Sequence, residues 1–101
     1  MARNQATVNI TTDSWTELTG GDATKVSFQI VTPEEKHAGV YIRTTDNATA
    51  PTANYGWVYL GYYGESNVLL TELNIGSAVP KRVWAKGIKS PCVMFVSDNS
   101  L

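Results

Sequence analysis

His37 is the only histidine of the chain, and it stands beside Glu34 and Glu35 in a charged stretch. An imidazole near hydroxyls and carboxylates is the raw material of a Ser-His-Asp relay, in which it takes the proton from the attacking oxygen. Serines and aspartates are plentiful, but no Gly-x-Ser-x-Gly elbow frames any serine. The bland reading, a solvated loop histidine, explains His37 better. Pairing it with Cys92, the one cysteine, fares no better. Cys92 opens an apolar alternation with Met94 and Val96, where a thiol acts as a small hydrophobe. A single cysteine also excludes an intramolecular disulfide framework and a Cys-rich zinc site. No calcium-loop spacing surrounds Asp46-Asn47, and Gly20-Gly21 is a turn pair without the Gly-x-x-x-x-Gly-Lys that cradles phosphate. These residues predict a protein that is not an enzyme and carries no metal or cofactor.

Non-covalent chemistry is better represented. Lys81, Arg82, Lys86 and Lys89 flank Trp84, a cationic and stacking set that suits single-stranded nucleic acid on a small barrel. Against that stands the charge balance: eight Lys and Arg meet nine Asp and Glu, for a net charge of -1. A nucleic-acid binder normally shows a basic excess. The cluster reads instead as lysines guarding an edge strand. The second candidate is Tyr55 to Tyr63, where Trp57, Tyr59 and Tyr63 alternate with Val58, Leu60 and Tyr62. Both faces of that strand are apolar, whereas a sheet layer in a small domain normally keeps one face wet. Taking Val58, Leu60 and Tyr62 as the core side leaves Trp57, Tyr59 and Tyr63 outward. Aromatics and Arg are the residues enriched at interface cores. Tyr55, Trp57, Tyr59, Tyr63, Arg82 and Trp84 are therefore the expected contact residues.

The elements that must position these side chains are strands. Thr7 to Thr12 alternates around Val8 and Ile10, Lys25 to Ile30 around Val26, Phe28 and Ile30, and Gly39 to Thr44 around Val40 and Ile42. Gly56 to Tyr63, Lys81 to Gly87 and a last strand after Pro91 follow, while Gly64 to Asn67 reads as a turn. Ser14 with Glu17 fits a capping box and one helical turn, or Trp15 simply plugs the end of a sandwich. Thr45 to Asn54 reads as a long exposed loop. With 101 residues, 43% hydrophobic and 17% charged, the chain supports one core. The expectation is all-β: a single antiparallel β-sandwich or barrel of six to eight short strands over residues 1–101, with residues 1–6 a flexible arm. No membrane span and no signal peptide are expected, which predicts synthesis in the cytoplasm.

Val8-Asn9-Ile10-Thr11-Thr12, Trp15-Thr16-Glu17-Leu18-Thr19 and Thr24 through Gln29 together resemble short β proteins encoded among the structural genes of tailed bacteriophages. Those share a Thr-rich first strand, a Trp-Thr-x-Leu-Thr motif and a second strand ending near Gln. Val40-Tyr41-Ile42-Arg43 and Arg82-Val83-Trp84-Ala85-Lys86 are similar in style, whereas Tyr55 to Tyr63 matches no such motif. The resemblance implies a virion structural protein of head-decoration, head-fibre-base or tail-accessory type. The function expected from it is capsid decoration: a dimer or trimer, made in the host cytoplasm, that binds the major capsid protein or other virion proteins. Neither nucleic acid nor membrane is an expected partner. The alternative is a carbohydrate-binding or tail/fibre accessory β module that stacks its aromatic surface on sugars.

Overall fold

Strand β3 (Lys25–Ile30) shows how the pattern becomes structure: Val26, Phe28 and Ile30 are buried, while Lys25 and Gln29 face water. The same two-residue period of burial recurs in β4 (Gly39–Thr45) and β8 (Cys92–Asp98), and the remaining strands are β1 (Asn4–Ile10), β2 (Thr16–Glu17), β5 (Trp57–Leu60), β6 (Gly64–Leu69) and β7 (Arg82–Ile88). A computed structural model describes residues 4–31, 39–74 and 79–98 of the chain. Two four-stranded sheets, in the orders β1-β8-β3-β6 and β2-β7-β4-β5, pair antiparallel throughout. Between them lie Ile10, Val26, Phe28, Ile30, Met94 and Val96 from the first sheet, against Val40, Ile42, Val83 and Ala85 from the second. Leu18, Leu70 and Leu73 complete this core, and Cys92 is buried in it. The fold is a small all-β sandwich.

Several local expectations change. Pairing of β1 with β8 starts at Asn4, so Asn4 to Ala6, expected in an arm, are strand. Thr16 and Glu17 extend against Ala85 and Trp84, so the capping-box pair starts no helix. Trp15 instead is half-buried and donates its indole N–H to the Ala53 carbonyl at 2.9 Å. The aromatic strand stops at Leu60: Gly61 takes φ +63°, a left-handed conformation that suits glycine, and the chain crosses to the other sheet. Gly64 to Asn67, expected as a turn, is therefore strand β6. Gly64 suits that crossing because a Cβ there would run into the Phe28 carbonyl. Finally, β7 lies between β2 and β4, so the lysine-bearing strand is interior and guards no free edge.

Candidate functional site

Register fixes which way β5 faces. Trp57 lies opposite Ile42 and Tyr59 opposite Val40, and both β4 partners are fully buried. Directly opposed residues share a face, so Trp57 and Tyr59 point to the inside of the sandwich. Val58 pairs with Tyr41 on the outside, and Leu60 follows it. The expected faces are thus reversed, since Val58, Leu60 and Tyr62 are 54%, 43% and 65% exposed. Nothing in the strand's own sequence breaks the tie between two apolar faces. Only the partner strand does.

The inner pair is held at the rim. Tyr59 meets Phe28 edge to face at 5.1 Å between ring centroids, and its hydroxyl donates to Glu65 at 3.1 Å. Burial first, and then the Glu65 hydrogen bond and charge, push its phenol up to about 12. Trp57 donates its indole N–H to the Leu73 carbonyl at 3.0 Å, yet its ring stays about half exposed. Tyr63, just past the Gly61 turn, is 73% exposed. Tyr55 lies under the Arg43 guanidinium, 4.8 Å from the ring centroid, and its carbonyl accepts a hydrogen bond from the same group.

The other two expected contact residues are engaged within the chain. Arg82 bridges Glu17 at 3.0 Å and Asp22 at 3.1 Å. Trp84 is buried on the outer side of β7, opposite Arg43, with its indole N–H on the Thr45 hydroxyl at 2.7 Å. Next to it runs the 46–55 segment, which, as the sequence suggested for Thr45 to Asn54, is a long and largely exposed loop. Besides Trp15 on Ala53, Lys86 donates to the Asn54 side chain at 3.1 Å, so the far end of this segment is fastened to the same sheet. Half of the expected cationic surface is therefore tied down.

Of the nine large hydrophobic side chains exposed among the described residues, seven lie between Tyr55 and Leu69. No charged residue occurs between Asp46 and Glu65. The corner built by residues 55–56, β5 and the Gly61–Tyr63 turn is thus largely aromatic and made of uncharged residues, with Glu65 of β6 at its border. Val58, Leu60 and Tyr62 belong to it and escaped the sequence reading. The Gly-Tyr-Tyr-Gly run of 61–64 was the available signal, because glycines bracketing two aromatics mark a turn that presents them. By contrast, an open groove of about 560 Å³ on the outer face of the other sheet holds one exposed ring, Phe95, among Thr7, Ser27, Gln29 and Ser66.

His37, Glu34 and Glu35 lie outside the described residues. Among the described residues no three His, Cys, Asp or Glu side chains gather as a metal site would require, and no helix is long and apolar enough to cross a membrane. Comparison with family models, with curated proteins and with solved structures gives no match.

Proposed function

We propose that this chain is a non-enzymatic structural subunit that works by association, and that its contact surface is the β5 corner. The observation that carries the reading is the concentration of six exposed aromatic and aliphatic side chains between Tyr55 and Tyr63, in a stretch without a charged residue. A surface of that kind is a liability on an isolated domain and an asset in an assembly. Combined with the sequence likeness, the specific form of the proposal is a decoration protein that binds and reinforces the assembled head of a tailed phage. Homo-oligomerisation and contact with the major capsid protein or another virion protein belong to the same proposal.

Co-sedimentation of the purified protein with heads and with tails of the parent virion tests it. Binding to heads, weakened by Trp57→Ala, is the expected outcome. Binding to tails alone, or to neither, removes the capsid assignment. Exposed Trp and Tyr rings also stack on sugars. Titration with host polysaccharide while following tryptophan fluorescence separates that reading, and a flat titration is expected.

A further inference from the structure

Among the described residues four strands lie at sheet edges, and two of them carry a feature that blocks continuing the sheet into another molecule. β2 is two residues long, and its Glu17 is tied to Arg82. β6 carries Glu65, and its pairing with β3 shifts register between Val26 and Phe28, where Asn67 adopts φ +58°. β1 is uncharged, but its outer Thr7 and Asn9 are polar and a partner docked there would cover no exposed large hydrophobic among its described side chains. β5 has none of these devices. It pairs only with β4, carries no charge, and is apolar on both faces.

We propose that the occupant of the β5 edge is a second copy of this chain, docked antiparallel along β5 so that two β2-β7-β4-β5 sheets continue into one. The proposal rests on reading the β5 corner as the association surface, and it names the partner. An antiparallel pair of identical strands has a two-fold axis, so each contact is made twice and the assembly closes as a dimer. Identical segments also bring identical charges together. An uncharged strand can meet itself without that penalty, whereas β6 would set Glu65 near its own copy.

The pleat narrows the register further. A two-fold axis perpendicular to the sheet keeps outer faces outer, so opposed residues must share a face. Val58 then lies opposite Val58 or Leu60 of the second copy, and Tyr59 opposite Trp57 or Tyr59. A slip of one residue would set the outward Val58 against the inward Trp57 or Tyr59. The available area suffices: at their observed exposures the six exposed side chains between Tyr55 and Tyr63 offer on the order of 700 Å². A standard interface uses roughly 800 Å² per partner, including backbone.

Sedimentation velocity over a range of concentrations, with circular dichroism as the check on folding, tests the proposal on the full chain. Wild type should be a dimer. Val58→Lys and Leu60→Lys, both at exposed positions, should stay folded and raise the dimer dissociation constant by a hundredfold or more, whereas Phe95→Lys on the opposite sheet should not. Val58→Cys should form an intermolecular disulfide on mild oxidation if Val58 sits on the axis, and Tyr59→Cys should do so in the other register. A wild-type monomer, a trimer, or a dimer indifferent to both lysines overturns self-pairing. If the monomer nevertheless binds heads and loses that binding on Val58→Lys, the corner remains the association surface and only its occupant was wrong. If neither self-association nor head binding responds to the lysines, both readings fall.

Discussion

Strands β7 and β5 lie on either side of β4 in one sheet, and both carry apolar side chains on both faces, yet they end differently. On β7 the inner Val83 and Ala85 enter the core, and the outer Trp84 is covered by the chain itself. Its indole N–H is held by Thr45 of β4, and the loop that follows is fastened to the same sheet by polar contacts: Trp15 to the Ala53 carbonyl and Lys86 to the Asn54 amide. On β5 the inner Tyr59 reaches the core while Val58 and Leu60 stay in water. The two strands present the same problem, and the chain solves only one of them. A second apolar face calls for a cover: the fold supplies it over Trp84, and over β5 the proposed association would supply it.

Trp84→Ala tests the covered half and should have the largest effect. Removing a buried indole should cost about 3–5 kcal/mol of stability, a large share of what a domain of this size has. Denaturant melts would show the loss. Self-association of the fraction that remains folded should be unchanged. Trp57→Ala tests the uncovered half. Its ring is half exposed, so folding should lose only about 1–2 kcal/mol, mostly from the Leu73 hydrogen bond and partial burial. Association should weaken by about 2 kcal/mol or more, read by light scattering against concentration. Equal destabilisation by the two substitutions would erase the contrast between the strands.

Gly61→Ala sharpens the comparison at the turn that ends β5. A Cβ there meets open space, but φ +63° strains any L side chain. The expected cost is about 1–2 kcal/mol, seen as a lower melting temperature with the Trp84 side undisturbed. The smallest effect is at high pH. An unfolded tyrosine ionises near pH 10, while the folded Tyr59 is raised to about 12 by burial and Glu65. The native state therefore holds that proton more tightly, so the stabilisation is whole below about pH 10 and is lost as the pH rises toward about 12. Tyr59→Phe should flatten that part of the melting profile, and an unchanged alkaline slope would place the ring away from Glu65.

Much of this fold is written in local order. Alternation in Lys25–Ile30, Gly39–Thr45 and Cys92–Asp98 marks three central strands, because a half-buried strand repeats every second residue. Strand composition and regular turn signals are enough for an all-β sandwich. The segment 55–63 likewise announces itself, since aromatics without charge are rare on a free surface. Its details were not legible. A strand apolar on both sides has no internal sign of which side is inward, and only Ile42 and Val40 across the β4 ladder settle it. Nor does the sequence say that Gly61 moves the chain to the other sheet and turns Gly64–Leu69 into a strand.

The fastening of the 46–55 loop is the clearest case of what tertiary structure alone decides. Thr45 to Asn54 has the composition of a solvated loop, and its polar residues would be at home in water. Its far end is held because Trp15 and Lys86, brought together from distant parts of the chain, offer donors to Ala53 and Asn54. Local sequence sets the period of burial and the places where the chain can turn, because those depend on neighbouring residues. Which faces are covered, and by what, depends on residues fifteen or more positions apart, and only the packed sandwich brings those together.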